Sequence, residues 1–369
     1  MRWWSWPVVV LAAGAVLAGC TVPLATVKPE PERPARVADD EDDDRPVAVR
    51  VYYATDRKAS LLAEADEIYG GERGDLALGV CDLAAPAERL IDPDSKNRFT
   101  IEALTDRLDR LTLRAVQPLP RTDFFARLQL DVQAAPRNDA FVFIHGYNVP
   151  FAAAARRAAQ IAHDMGFDGV PVLYSWPSRG KLVDYTVDEN NVEWTVPHLA
   201  RFLADLAVQS GAERLHLVAH SMGTRALAGA LRDLAAARPG ERPFAEVVLA
   251  APDIDAEVFR RDVVPRLLAI ARHITLYASS EDDALTASRK VHGYLRAGES
   301  GDGLLVMAGI DTVDASTVGA SGLGHSYYGD SRQVIMDLRR LLMSGESVSE
   351  RDLLPLDHAG GTYWTFPED

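Results

Sequence analysis

"LVAHSMGTRAL", residues 217–227, decides how this chain is read. The apolar run "LHLVA" at 215–219 ends in His220 and Ser221, and a helical pattern begins directly afterwards. A serine between a strand and a helix can be a plain helix N-cap. It can also be a nucleophile on a very tight turn, which needs a small residue two positions to either side so that the backbone can close. Those positions hold Ala219 and Gly223, one methyl group away from the G-x-S-x-G pattern. The following helix turns its free N–H groups toward any negative charge that develops at Ser221.

The surrounding chain alternates in the same way. Upstream, "AFVFIHG" (140–146) reads as a strand and is followed by an Ala-rich helix from about Pro150 to His163. "VPVLYSW" (170–176) is a strand that passes through an irregular stretch, "PSRGKLVDYTVDEN" (177–190), into a helix. That helix has Leu199, Phe202, Leu203 and Leu206 at i, i+3, i+4 and i+7. Leu227, Leu231 and Leu234 mark the helix after Ser221, which Pro239 and Gly240 stop. Downstream strands are "FAEVVLAAP" (244–252), "HITLYASS" (273–280) and "LLVMAGID" (304–311), with a helix near 255–270. A last amphipathic helix uses Val334, Ile335, Leu338, Leu341 and Leu342. Ahead of this series stand the strand candidates "VAVRVYYAT" (47–55), "GDLALGVCDLA" (74–84) and "RLTLRAVQPLP" (110–120). "TDFFARLQLDVQ" (122–133) reads as a helix capped by Thr122 or Asp123. Apolar strands alternating with helices specify an α/β fold, with a mostly parallel sheet covered on both faces and extra strands at the N-terminal side. Only about twenty residues lie between the strands ending near 251 and 279, so no large cap domain fits there.

A nucleophilic serine needs a base, an acid and an oxyanion site. The Met222 N–H and one from the loop after an earlier strand form the expected oxyanion site. "FIHGYN" (143–148) supplies that loop, with the N–H of Tyr147 or Asn148, and His145 reads as the residue that fixes it. Among nine histidines, His325 follows the last strand candidate in the loop "SGLGHSYYGD" (321–330), where the base of a Ser-acid-His order belongs. His292 and His358 are the alternatives. The acid is Asp282 in "YASSEDDAL" (277–285), with Asp253 and Asp283 as alternatives. No cofactor is implied, and no CxxC pair or dense His/Cys cluster suggests a metal.

The remaining composition bounds location and partners. The chain has 369 residues, 47% of them hydrophobic, and a formal net charge of −15. No basic stripe appears, so nucleic acid is not an expected partner. Two cysteines, Cys20 and Cys81, exclude a disulfide framework. Residues 1–20, "MRWWSWPVVVLAAGAVLAGC", have one positive charge and an apolar core of secretory-signal length, ending in "LAGC". Residues 21–46, rich in Pro and charge and including "DDEDDD" at 39–44, read as a flexible tether.

Two resemblances extend this reading. "LAGC" resembles the bacterial lipobox, which implies a signal peptide over 1–19, a lipidated Cys20, a tether to 46 and a folded domain over 47–369 at the cell envelope. An uncleaved anchor helix over the uncharged residues 3–27 is the alternative. "FVFIHGYN", "YSWPSRG", "VAHSMG", "LAAPDID", "YASSEDDAL" and "GHSYYGD", in that order and with "YYATDR" at 52–57, resemble a bacterial alpha/beta hydrolase family of esterase/lipase type. The resemblance implies the alpha/beta-hydrolase fold, a triad of Ser221, Asp282 and His325, and a small-molecule ester or acyl substrate. By the same analogy, Trp176 and Tyr185 line the mouth of the site; His145, beside its loop-fixing role, and Trp176 are the candidate substrate contacts. A catalytically silent binding lipoprotein on the same fold is the alternative from a different class, and a thioesterase or peptidase would use the same triad.

The lipobox reading makes a direct prediction. Metabolic labelling with a fatty acid should mark the wild-type protein and not Cys20→Ser, and fractionation should find only the wild type in membranes. Unlabelled wild-type protein that still fractionates with membranes would contradict it and support the uncleaved anchor.

Overall fold

The computed structural model describes residues 45–61, 64–87, 110–179, 185–319 and 327–368, all within one unit, Asp42–Asp369. Cys20, His325 and the N-terminal segments discussed above lie outside the described residues. Among the described residues, eleven strands form one sheet: β1 (Val47–Ala59), β2 (Tyr69–Ala85), β3 (Thr112–Leu119), β4 (Asp139–Ile144), β5 (Val170–Ser175), β6 (Arg214–His220), β7 (Phe244–Ala250), β8 (Ala271–Ala278), β9 (Asp311–Asp314), β10 (Leu354–His358) and β11 (Gly361–Thr365). Their order is β10-β11-β9-β8-β7-β6-β4-β5-β1-β2-β3. Every pairing from β1 through to β11 in that order is parallel. Antiparallel partners close the two ends, β2 and β3 on one side and β10 on the other.

The central strands are buried on both faces, which is why "DAFVFI" and "RLHLVAH" are near-continuous apolar runs rather than alternating ones. Side chains still alternate between two cores. Val142, Ile144, Leu217, Ala219, Val247 and Leu249 face helices α1 (Arg121–Ala134), α3 (Tyr185–Gln209), α4 (Gly223–Ala237) and α5 (Val264–Ile270). Phe141, Phe143, Val218, Val248 and Ala250 face α2 (Phe151–Met165) and α7 (Arg332–Arg339). Between α5 and α7 runs α6 (Asp283–His292). The register of the parallel strands brings Ile144, His220, Ala250 and Ala278 to their carboxyl ends together. Loops after these strands therefore meet at one edge, where ligands bind in open α/β sheets.

Several boundaries differ from the sequence expectation. α1 is preceded by Pro120 and no side chain caps it, so neither Thr122 nor Asp123 has that role. The stretch 177–190 is not irregular throughout, because α3 already begins at Tyr185. The strand expected over 304–311 is confined to Asp311–Asp314, and its apolar residues Leu304, Leu305 and Val306 are buried without joining the sheet. The β10–β11 hairpin was not expected, since β10 is only five residues long and contains Pro355; its Leu354 and Leu356 alternate but are exposed. As a five-residue edge strand with Pro355, it offers little to an incoming strand.

One polar feature crosses the C-terminal half of the sheet. Glu246 in β7 is buried between His216 of β6 and His273 of β8 and accepts a hydrogen bond from Thr275 Oγ1 at 3.1 Å. Arg351, with its side chain 0% exposed, lies 3.3 Å from Asp337 Oδ2, which also accepts from Tyr277 Oη at 2.5 Å. Burial pushes the Glu246 carboxyl up from its ordinary 4.5 to about 8; the Thr275 hydrogen bond and Arg351 pull it down, and Asp311 and Asp337 push it up. The folded protein therefore keeps a proton on Glu246 that the unfolded chain loses near pH 4.5. Between that pH and about 8 the folded state binds more protons, so this group lowers stability as pH rises through the window. Glu246→Gln should melt level with the wild type near pH 5 and at a higher temperature than the wild type near pH 9. An equal difference at both pH values would contradict the assignment.

Candidate active site

Ser221 follows the last residue of β6 with φ at +50°, a left-handed conformation that non-glycine residues rarely adopt. Holding a residue there costs on the order of 1–3 kcal/mol and requires the surroundings to fix it. They do so on both sides. The Ser221 N–H donates to Ala250 O of β7 at 2.9 Å, and Ser221 O accepts from Thr224 N at 3.0 Å and Thr224 Oγ1 at 2.6 Å. Met222 is already right-handed and α4 starts at Gly223, so strand becomes helix within two residues.

The small neighbours follow from close backbone approach. A Cβ at Gly223 would lie 2.2 Å from His145 O, so no side chain fits there. Ala219 differs because its methyl points into the core shared with α4, away from the turn, and the departure from glycine leaves the elbow intact. A Cβ at Gly146 would meet His220 Nδ1 at 2.6 Å and Ser221 Cβ at 3.0 Å. The backbone of the loop after β4 therefore runs directly against the serine. Ser221 itself is 3% exposed.

The loop after β4 rests on a buried polar layer. His145 is buried, its Nδ1 is 2.8 Å from Gly146 O and its Nε2 is 3.2 Å from both Arg57 Nη2 and Ser175 Oγ. Burial, reinforced by the Arg57 charge, holds the His145 pKa well below the ordinary value, so the ring is neutral at neutral pH. Trp176 stacks on it at 5.1 Å and donates from Nε1 to His145 O at 2.7 Å. This corrects the placement of Trp176 by analogy: Trp176 is 0% exposed, not at the mouth of the site, and His145 is enclosed with it, so both lie beneath the loop and neither is an exposed substrate contact. Tyr147 and Tyr185 are half-buried and pack edge to face at 5.1 Å.

The candidate acids occupy different environments. Asp253 is enclosed by donors: Tyr185 Oη at 2.5 Å, Ser288 Oγ at 2.6 Å and Arg296 Nε at 2.7 Å. Its backbone oxygen accepts from Arg225 Nε at 2.7 Å and Arg296 Nη2 at 3.0 Å. Burial pushes this carboxyl up, but Arg296, Arg225 and the hydroxyl donors outweigh it and hold it below the usual carboxylate range. Asp253 is thus the centre of a closed structural knot. Asp282 is buried at the start of α6, where Oδ1 accepts from Leu285 N at 2.9 Å. Asp283 is the first residue of α6.

Neither alternative base stands ready. His292 Nε2 lies 2.8 Å from Glu189 Oε1, and His358 sits on the exposed edge strand β10. His325, the expected base, falls outside the described residues. Sequence reasoning missed Arg57, Glu189, Arg225 and Arg296, whose roles depend on contacts across long sequence separations. It also missed the positive φ of two further non-glycine residues, Asn148 (+59°) in the loop after β4 and Ala251 (+47°), which directly follows β7 as Ser221 directly follows β6.

With this geometry, the chain belongs to the family of alpha/beta hydrolases of unknown function (DUF900), whose model matches residues 121–344. It has the alpha/beta-hydrolase fold, with β1–β3 and the β10–β11 hairpin lying outside the matched stretch. A protein of Nostoc sp. (strain PCC 7120), described as uncharacterized, is 28% identical over 22% of this chain and 27% of its own length. The chain thus spans about a quarter of that relative. The product of a Listeria innocua gene aligns over 57% of this chain and 96% of its own at 12% identity, with a TM-score of 0.36. A zinc-bound cold-adapted esterase from an Arctic intertidal metagenomic library aligns over 80% of this chain and 94% of its own at 11% identity, with a TM-score of 0.36.

The knot around Asp253 gives a stability prediction. Asp253→Asn leaves Arg296 buried without its counter-charge and should destabilise the protein by about 3–5 kcal/mol. Urea unfolding measures this. An effect below about 0.5 kcal/mol, the range of neutral surface changes, would show that the knot is not structural.

Proposed function

We propose that the protein is a serine hydrolase acting on carboxylic esters through an acyl-enzyme. The observation that carries this reading is the left-handed Ser221 at the end of β6, with α4 beginning directly behind it and the Gly146 backbone packed against it. A mere N-cap serine needs neither the strained φ nor the apposed loop. In the proposed cycle Ser221 Oγ attacks the carbonyl carbon while His325 takes its proton. The tetrahedral oxyanion accepts hydrogen bonds from Met222 N–H and Tyr147 N–H. The alcohol then leaves with the proton from His325, and water attacks the acyl-enzyme by the same route. Asp282 orients His325. The closed knot around Asp253 favours Asp282 for this role, because Asp253 already accepts from three side chains. The lipobox resemblance at Cys20 supports a membrane-anchored enzyme at the cell envelope.

An aryl-ester panel of graded acyl length tests this reading. The wild type should turn over, Ser221→Ala and His325→Ala should lose nearly all activity, and Asp282→Asn should lose roughly 10²–10⁴-fold. Turnover of thioesters or peptides in place of esters would redirect the substrate class. Turnover of none of the three by folded protein would support the silent binding reading.

A further inference from the structure

We propose that Arg57 is a positioning residue that aims the oxyanion donor at Tyr147 through His145. The inference rests on the reading of Ser221 as nucleophile and Tyr147 N–H as an oxyanion donor.

Arg57 is 2% exposed and touches three separate segments. Its Nε donates to Ser175 Oγ at 2.8 Å, and its Nη1 to Gly70 O at 3.1 Å and Ser178 O at 3.0 Å. Its Nη2 donates to Val149 O at 2.6 Å and faces His145 Nε2 at 3.2 Å. Every N–H of the guanidinium group therefore meets an acceptor, and none of these acceptors is a carboxylate. Burying a charge on neutral acceptors is an expensive way to gain stability alone. What the arrangement does achieve is to tie the β1–β2 hairpin and the loops after β4 and β5 to one rigid planar group.

The proton positions follow from the donors available. An arginine only donates, so His145 Nε2 must accept. Ser175 Oγ accepts from Arg57 Nε, so its own hydrogen is also available to Nε2, whose one lone pair is then shared between two donors at 3.2 Å. The single proton of the neutral ring is then on Nδ1, and it is donated to Gly146 O at 2.8 Å. The 146–147 peptide is planar and trans, so its N–H points opposite to its C=O. Holding Gly146 O toward His145 therefore fixes the heading of the Tyr147 N–H. Because Gly146 packs against Ser221, the peptide so oriented is the one beside the nucleophile.

The test separates aim from fold. His145→Asn keeps an N–H near the Nδ1 position, whereas His145→Gln places its amide near Nε2 and loses that donor. The relay predicts that His145→Gln lowers kcat about 10²-fold, the cost of losing one oxyanion donor, with KM little changed, and that His145→Asn retains most of the rate. Arg57→Lys, which cannot span the same acceptors, should lower kcat by a similar factor and weaken an aryl boronic acid in proportion, since its tetrahedral adduct uses the same donors. Thermal unfolding of each variant confirms that folded protein is assayed. Equal kcat in His145→Asn and His145→Gln, or an Arg57→Lys loss carried by KM alone, overturns the relay. Ser221→Ala, measured alongside, distinguishes failure of the relay from failure of the nucleophile reading. Activity surviving in Ser221→Ala removes the nucleophile itself, whereas an inactive Ser221→Ala beside a fully active Arg57→Lys removes only the relay.

Discussion

The left-handed turn at Ser221 is the constraint on which the arrangement of this protein depends. A strand in the middle of a parallel sheet must hand over to a helix with almost no intervening chain. The turn is possible because Ala250 of the neighbouring strand accepts the Ser221 N–H while Thr224 closes the first helical turn from the other side. Gly223 lets α4 approach the carbonyl of His145, and Gly146 lets the opposite loop approach the serine. Each close contact excludes a side chain from the other, so the two glycines and the strained serine form one geometric unit. Relaxing any one of them would separate the hydroxyl from the loop expected to stabilise its product.

Around this unit the protein buries charge in two different ways. Asp253 and Arg296 neutralise each other, with Tyr185, Ser288 and Arg225 filling the remaining valences, so that α3, α4 and α6 are locked to the loop after β7. Arg57 instead meets only neutral acceptors, and burial lowers its pKa to about 9 against the opposing pull of Asp56 and Asp188. The first arrangement holds elements together. The second orients individual groups, because a planar donor array fixes the direction of every acceptor it meets. Asp188 extends the same layer, accepting from Ser178 Oγ at 2.6 Å and Arg179 N at 2.9 Å, which braces the loop after β5.

Most of the sheet was legible in the sequence because doubly buried parallel strands must be apolar throughout, and such runs alternate with helical patterns from residue 140 onward. The elbow was legible because its spacing is set by local sterics. What the sequence concealed was polar and non-local. Glu246 and His216 sit in strands whose apolar neighbours dominate the pattern, and nothing near them in sequence indicates Thr275 or Arg351. Trp176 looks like a wall of the site from its position after β5, yet its indole turns inward because His145 O needs its N–H. The segment 304–310 has strand-like composition but packs as irregular chain beside β9, showing that apolarity marks burial and not sheet membership.

Covalent capture of the serine is the measurement closest to the central claim. Folded wild-type protein is treated with a fluorophosphonate, digested and mapped by mass spectrometry, with Ser221→Ala treated in parallel. One adduct is expected, on the peptide containing Ser221, and no adduct in the variant. An unlabelled wild-type protein, or a label on a different residue that persists in Ser221→Ala, would contradict the assignment of Ser221 as the nucleophile.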